Sequence, residues 1–274
     1  MALMTISFRS EVLDLQTHVN VLIPDQWSPD NPPATLYLLH GLSGDYSSWI
    51  QKTSLLRYAE KLPLTIIMPS ADRSFYTDMV YGNRYWTYLT KELPERLQTW
   101  LPLATTRNKC FVGGLSMGGY GALKWGLNYP EQFSGIISMS GAVDLQAMVE
   151  RAPEYLPGFQ MIFGDLKKFS QSANDLFSLV DKVSDQGRYL PDILQFCGTA
   201  DFLYADNLVF KAKLDRSKLP HRFSEKNGVK HEWSYWDETI RYTLDWIAEK
   251  IGDTTDNTSN NTSSNSQEGQ DHDK

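Results

Sequence analysis

Short apolar runs alternate with segments of helical spacing along most of the chain. Apolar runs of this length, bounded by residues that favour turns, predict buried strands, and the segments between them predict helices. The predicted strands cover residues 35–39, 64–68, 110–112, 135–139 and 193–197. Repeated alternation of strand and helix predicts a mostly parallel central sheet with helices on both faces.

The two ends of the chain frame this alternation. Between residues 5 and 24 the apolar positions alternate, which predicts two strands that form an antiparallel edge or hairpin. Residues 234–251 show the spacing of an amphipathic helix. Residues 252–274 are almost wholly polar and bury too little apolar area to offset the entropy of ordering. We therefore expect one domain over residues 1–251, followed by a disordered tail.

Two longer segments interrupt the alternation. Residues 70–86 are irregular and rich in aromatic side chains, which is typical of a loop that serves a site at the carboxyl end of a strand. Residues 145–190 are far longer than an ordinary connection, and we interpret them as a helical insertion over the site. Its larger apolar side chains either line a pocket or hold the insertion to the domain, and both interpretations stay open. These side chains are Met148, Tyr155, Leu156, Phe159, Met161, Ile162 and Phe163.

Composition and charge exclude several classes of protein. Hydrophobic residues make up 41% of the chain and charged residues 22%, which is typical of a globular protein. The net charge of -7 argues against a nucleic acid or an anionic membrane as the main partner. We expect a cytoplasmic protein, because the sequence shows neither a signal-peptide pattern nor the roughly 20 apolar residues of a membrane span. Cys110 and Cys197 lie in apolar runs, which favours small buried side chains over a disulfide.

Candidate chemistry begins at residues 114–119, which read Gly-Leu-Ser-Met-Gly-Gly between a predicted strand and a predicted helix. In a sharp turn of this kind, glycines permit close packing and the serine hydroxyl is exposed. We interpret Ser116 as a nucleophile. The alternative is a glycine-rich turn with an incidental serine, since so short a pattern also occurs by chance.

Two residues later in the chain are candidate partners for this serine. A serine hydroxyl is a weak nucleophile at neutral pH, so a base must take its proton. His231 is our candidate, because it lies between a predicted turn and the last helix. Asp201 follows a predicted strand and would orient His231, whereas the rival Asp206 lies beyond the strand end. The order Ser116, Asp201, His231 is the order of nucleophile, acid and base in α/β hydrolases.

Backbone N–H groups are candidate donors for an oxyanion hole. Negative charge that develops on a substrate carbonyl oxygen is stabilised by preorganised donors. Met117, directly after the candidate nucleophile, offers one N–H group, and Leu42 in the turn His40-Gly41-Leu42 offers the second. We expect no metal and no cofactor, since the sequence has no His-Glu-x-x-His helix, Cys/His cluster, P-loop or Gly-x-Gly-x-x-Gly turn.

Four stretches resemble the esterase D family of α/β hydrolases. They are residues 40–44, 114–122, 198–201 and 231–237, which read His-Gly-Leu-Ser-Gly, Gly-Leu-Ser-Met-Gly-Gly-Tyr-Gly-Ala, Gly-Thr-Ala-Asp and His-Glu-Trp-Ser-Tyr-Trp-Asp. Within that family the chain is most similar to tributyrin esterases (esterase A) of lactic acid bacteria and streptococci, which act on short-chain acyl esters. The resemblance implies an α/β-hydrolase fold, a triad of Ser116, Asp201 and His231, and oxyanion donors at Leu42 and Met117.

These observations predict a serine carboxylesterase that acts on short acyl esters, from acetyl to butyryl. Tyr85, Trp86 and Trp233 are candidates for contact with the substrate. The alternatives are a thioesterase similar to S-formylglutathione hydrolases, a feruloyl or acetylxylan esterase, and a non-catalytic binding protein on the same scaffold. Leu115 and Tyr120 weaken the first alternative, because the formylglutathione branch typically shows histidine at both positions. The expected partner is a small-molecule ester, and homo-oligomerisation through the insertion stays open.

Overall fold

The computed structural model describes residues 1–262, with side chains up to Gly252. The last helix continues into the predicted polar tail as far as Thr262. Residues 263–274 lie outside the described residues, so the disorder of that remainder stays a prediction.

A single sheet forms the centre of the described residues. Its strands are β1 (Ala2–Ser10), β2 (Leu15–Ile23), β3 (Ala34–Leu39), β4 (Leu64–Pro69), β5 (Cys110–Leu115), β6 (Gly135–Met139), β7 (Asp192–Gly198) and β8 (His221–Lys226). They lie in the order β1-β2-β4-β3-β5-β6-β7-β8, and only the pairs β1 with β2 and β2 with β4 are antiparallel among these strands. This is the α/β-hydrolase fold that the sequence predicts, and it brings the carboxyl ends of β3, β5, β6 and β7 to one edge.

Helices connect the strands. They are α1 (Ser48–Lys52), α2 (Leu55–Ala59), α3 (Tyr85–Thr87), α4 (Leu93–Trp100), α5 (Met117–Asn128), α6 (Leu145–Arg151), α7 (Leu156–Phe163), α8 (Leu176–Gln186), α9 (Tyr204–Leu214) and α10 (Trp233–Thr262). A π-helical turn (Tyr88–Glu92) joins α3 to α4, so a helical path begins within the aromatic-rich segment. None of the helices within the described part of the chain is long and apolar enough to cross a membrane.

Two apolar clusters pack on opposite faces of the sheet. Alternate residues of β3 show the division, because Tyr37 and Leu39 belong to one cluster and Leu36 and Leu38 to the other. The first cluster contains residues of α4, α5 and α8, and the second contains residues of α1, α2 and α10. Helices therefore cover both faces, and each face of the sheet is a core.

Both cysteines belong to this interior. Cys110 in β5 is 7% exposed, and Cys197 in β7 is fully buried. Neither forms a disulfide, and burial raises the pKa of each thiol. Both side chains pack as small apolar groups, as their positions in apolar runs predict.

The long segment between β6 and β7 carries α6, α7 and α8. Asp144 and Asp175 cap the first and the last of these helices with side-chain hydrogen bonds to backbone N–H groups. Phe159 and Ile162 of α7 are buried in the first apolar cluster, whereas Met161 is 52% exposed. Part of this segment thus holds the insertion to the domain.

Candidate active site

Ser116 lies in the sharp turn between β5 and α5. Its backbone has φ 53° and ψ −116°, a left-handed conformation that non-glycine residues rarely adopt. Two hydrogen bonds hold it there: the Ser116 N–H donates to the Met139 carbonyl at 2.9 Å, and the Ala142 N–H donates to the Ser116 carbonyl at 3.1 Å. The turn therefore presents the hydroxyl at the carboxyl edge of the sheet.

The glycines around Ser116 let three chain segments pack closely. A Cβ atom on Gly114 would lie 2.5 Å from the Gly118 carbonyl carbon, and one on Gly118 would lie 2.4 Å from the Leu39 carbonyl oxygen. Both distances are below those that real Cβ atoms show. The spacing Gly-x-Ser-x-Gly is thus a steric requirement of strand β5, helix α5 and the end of β3.

His231 connects Ser116 to Asp201. The Ser116 hydroxyl lies 3.0 Å from His231 Nε2, and His231 Nδ1 lies 2.8 Å from Asp201 Oδ2. In the neutral tautomer with the proton on Nδ1, the serine donates to Nε2 and Nδ1–H donates to the carboxylate. The structure therefore brings together the three residues that the sequence orders as nucleophile, acid and base.

The surroundings of His231 fix its ring. The Asp201 side chain is fully buried, and it also accepts a hydrogen bond from the Leu203 N–H at 2.9 Å. The imidazole packs between Phe202 and Trp236, with ring centroids 4.7 and 4.8 Å away. A buried carboxylate and two flanking rings together limit the orientations of the imidazole.

Asp206 has a different partner. Its carboxylate is 4% exposed and forms a two-point contact with the guanidinium of Arg151, with one of the two distances at 2.8 Å. Asp206 therefore connects α9 to α6, and it is Asp201 that contacts His231.

The turn after β3 lies against the candidate nucleophile. A Cβ atom on Gly41 would lie 2.5 Å from Leu115 Cδ1 and 3.5 Å from Ser116 Cβ. His40 is buried: its Nδ1–H donates to the Gly41 carbonyl at 2.8 Å, and its Nε2 accepts from the Ala71 N–H at 3.0 Å. Burial lowers the pKa of His40, so the ring is neutral at neutral pH. Sequence reasoning placed this histidine in the turn and did not anticipate its two hydrogen bonds.

A cleft of about 660 Å³ opens above these groups. Ser116 and His231 line it together with Leu42 and Met117, the two candidate oxyanion donors. Its other apolar lining consists of Phe75, Leu115, Ala142, Met148, Tyr155, Phe202, Leu203, Trp233 and Trp236. Its polar lining, apart from glycines, consists of Ser43, Asp45, Ser47, Ser48, Gln51 and Lys52. The cleft is large enough for a small ester and is polar on one part of its wall only.

The predicted substrate contacts divide between the cleft and the core. Trp233 lines the cleft, but Tyr85 and Trp86 do not. Tyr85 is buried, and Trp86 stacks on Tyr129 with ring centroids 5.9 Å apart. The helical path that starts at residue 85 directs Trp86 toward α5, which corrects the expectation for these two residues.

Three aromatic side chains that sequence reasoning did not select contribute to the cleft, namely Phe75, Phe202 and Trp236. Phe75 comes from the predicted loop, and Phe202 directly follows Asp201. Adjacency to the candidate acid is the signal that could have identified Phe202.

The residues within 1–252 contain no group of three or more His, Cys, Asp or Glu side chains placed to hold a metal ion.

The chain is similar to known proteins over most of its length. The Esterase family model, described as "Putative esterase", matches residues 10–247. An acetyl esterase of Caldicellulosiruptor saccharolyticus is 30% identical over 269 residues, which covers 92% of this chain and 100% of the relative. The matched span contains Ser116, Asp201 and His231.

Two solved structures from Staphylococcus aureus are similar over nearly the whole domain. Fluorophosphonate-binding serine hydrolase F, with substrate bound, is 31% identical with a TM-score of 0.82. An S-formylglutathione hydrolase, as apoenzyme, is 31% identical with a TM-score of 0.79. Each similarity covers 90% of this chain and 98% of the other chain.

Proposed function

Because this chain belongs to the Esterase family and is a carboxylic ester hydrolase, we propose that it cleaves short-chain acyl esters, from acetyl to butyryl, through an acyl-serine intermediate on Ser116. The observation that carries the proposal is the position of His231, 3.0 Å from the Ser116 hydroxyl and 2.8 Å from the Asp201 carboxylate. A base that contacts the serine and is itself held by a buried carboxylate is what nucleophilic catalysis requires.

In the proposed acylation step, Ser116 Oγ attacks the ester carbonyl carbon while His231 Nε2 takes the hydroxyl proton. The carbonyl oxygen becomes an oxyanion, and the backbone N–H groups of Leu42 and Met117 donate hydrogen bonds to it. The bond to the alkoxy oxygen then breaks, and His231 gives its proton to the departing alcohol. Asp201 remains ionised and stabilises the transient imidazolium.

Water completes the proposed reaction. It loses a proton to His231 Nε2 as its oxygen attacks the acyl carbon, and the second oxyanion uses the same two N–H groups. The bond between the acyl carbon and Ser116 Oγ breaks, and His231 returns its proton to the serine. The products are the carboxylic acid and the free enzyme.

The apolar part of the cleft supports a small acyl group. Ala142 and Met148 follow β6, and Phe75 packs on Phe159 of the insertion with ring centroids 5.0 Å apart. The polar lining residues between positions 43 and 52 follow β3, which lies on the other side of β5 from β6. We assign the acyl group to the apolar side and the alcohol to the polar side. A short acyl group agrees with the resemblance to tributyrin esterases and with the acetyl esterase relative.

The similarity to an S-formylglutathione hydrolase favours a second candidate, the hydrolysis of an activated thioester by the same groups. A thiolate would replace the alkoxide as leaving group, and the other steps would be unchanged. Leu115 and Tyr120 differ from the histidines typical of that branch, so we place oxygen esters first.

Substitution of Ser116 tests the proposed function. Ser116→Ala should abolish hydrolysis of p-nitrophenyl acetate and butyrate, and it should prevent stoichiometric labelling by a fluorophosphonate. Ser7→Ala, on the exposed strand β1, is the matched control and should keep both properties. Wild-type turnover by Ser116→Ala would refute the assignment. Comparison of kcat/KM for acetate, butyrate and octanoate esters, S-formylglutathione and methyl ferulate ranks the substrate classes.

A further inference from the structure

Helix α5 contains a lysine whose side-chain amino group is enclosed by protein. Lys124 is 2% exposed. Its Nζ donates to the Tyr76 carbonyl at 3.0 Å and to Thr77 Oγ1 at 2.8 Å, and it lies 4.4 Å from the centre of the Trp86 ring. Burying a lysine side chain costs free energy unless its N–H groups have partners. Here the partners are one short loop segment and the face of one aromatic ring.

The loop segment that Lys124 holds is conformationally strained. Phe75 and Tyr76 both adopt left-handed backbone angles, with φ of 48° and 52°. Two consecutive aromatic residues in this region persist only when surrounding contacts enforce them. Helix α5 also presses on the Tyr76 ring, since a Cβ atom on Gly121 would lie 2.5 Å from Tyr76 Cδ2. The contacts at Lys124 and Gly121 therefore hold this segment against α5.

From the same segment a hydrogen bond reaches the turn that carries the second oxyanion donor. The fully buried Tyr76 hydroxyl donates to the His40 carbonyl at 2.8 Å. His40 is two residues before Leu42, and its carbonyl begins the peptide that leads to Gly41. A displacement of Tyr76 would therefore be transmitted to the N–H group that we assign to the oxyanion hole.

We propose that Lys124 is a positioning residue for ester hydrolysis: it fixes Tyr76, and through the Tyr76 hydroxyl it sets the turn that presents the Leu42 N–H group to the oxyanion. The inference rests on the proposed function of Ser116. Lys124 touches no reacting atom, and its effect is on geometry that matters most in the transition state. Loss of this geometry should lower kcat more than it changes KM.

A double-mutant cycle tests the route. We measure kcat and KM for p-nitrophenyl acetate in wild type, Lys124→Met, Tyr76→Phe and the double variant. The assay temperature lies well below the thermal unfolding midpoint of each protein. Each single variant should lower kcat by about tenfold with KM within about twofold, since a misplaced donor is costly in the transition state. Because both changes act through one hydrogen bond, the kcat of the double variant should be no lower than the kcat of the less active single variant.

Leu127→Ala is the matched control for stability. Leu127 is a buried residue of the same helix, three positions after Lys124, and its side chain has no polar group that could hydrogen-bond to the loop segment. This variant should lose stability yet keep the kcat of wild type. An equal loss of kcat in Leu127→Ala would show that activity follows stability alone and would overturn the inference.

The remaining outcomes are equally decisive. A kcat of Lys124→Met equal to that of wild type, or losses that multiply in the double variant, would overturn the inference. If Lys124→Met does not fold, Tyr76→Phe decides alone, because it removes only the hydroxyl that contacts His40; unchanged kcat in that variant overturns the route. An inactive wild type would instead refute the proposed function, so the two failures are distinguishable.

Discussion

Gly118 offers a direct test of the packing that holds the candidate nucleophile. A Cβ atom at this position would lie 2.4 Å from the Leu39 carbonyl oxygen and 2.7 Å from the His40 carbonyl oxygen. Ordinary Cβ contacts begin near 3.4 Å, so Gly118→Ala requires neighbouring atoms to move by about 1 Å. Those atoms are the backbone of β3 and of the turn at Leu42, which cannot rotate away as a side chain can.

The expected loss of stability follows from this geometry. Overpacking that side chains can absorb costs roughly 1–3 kcal/mol, and a clash with fixed backbone should cost at least about 3 kcal/mol. The same displacement moves the oxyanion turn, so kcat for p-nitrophenyl acetate should fall by about 10²-fold. Urea unfolding gives the free energy of unfolding, and initial rates give kcat.

Gly158→Ala is the matched control. Gly158 lies within α7, and a Cβ atom there would meet nothing within 4 Å. The substitution should stabilise the protein by roughly 0.4–1 kcal/mol, because alanine restricts the unfolded chain and favours the helix. If Gly118→Ala unfolds at the urea midpoint of wild type, the close approach of α5 to β3 is not what requires glycine here.

Three further predictions concern charge and shape. Burial lowers the pKa of Lys124 from 10.5 to about 7, so between these pH values the unfolded chain carries a proton that the folded chain lacks. The stability of wild type should therefore rise with pH relative to Lys124→Met between pH 7 and 10, as read from urea midpoints, and parallel curves would contradict this. Arg151→Ala leaves the buried Asp206 carboxylate unpaired and should lose about 1–3 kcal/mol; Asp206→Asn in that background should recover part of the loss in thermal unfolding. Met148→Ala widens the apolar side of the cleft and should raise kcat/KM for butyrate relative to acetate several-fold. An unchanged ratio would place the acyl group elsewhere.

The sequence predicts the strands and the turn at Ser116 well, because both are encoded locally. Buried parallel strands appear as continuous apolar runs, and glycines at fixed offsets mark the close packing of β5 and α5. The strand ends also order the candidate triad along the chain. Asp201 follows its strand directly, whereas Asp206 lies inside α9, so position alone separates them.

Contacts between segments that are far apart in the chain could not be predicted from the sequence. The sequence predicts that Trp86 belongs to an open loop, yet its ring lies on Tyr129 and beside Lys124. A lysine in a helix is ordinarily a solvated residue, and nothing near Lys124 in the chain reveals that its acceptors lie 47 and 48 positions earlier. Only the folded arrangement shows which aromatic side chains face the cleft and which lysine is buried.

The two buried cysteines make the enzyme a convenient object for spectroscopy. The chain has two cysteines in total, and burial raises the pKa of Cys110 to about 12 and that of Cys197 further. The thiolate is the form that reacts with maleimides and iodoacetamides, so both native cysteines should react slowly at neutral pH. A cysteine introduced at an exposed position that lines the cleft, such as Lys52→Cys, would then carry a fluorophore or spin label without removal of either native cysteine. A label at that position would report the binding of ligands in the cleft while both native cysteines stay in place.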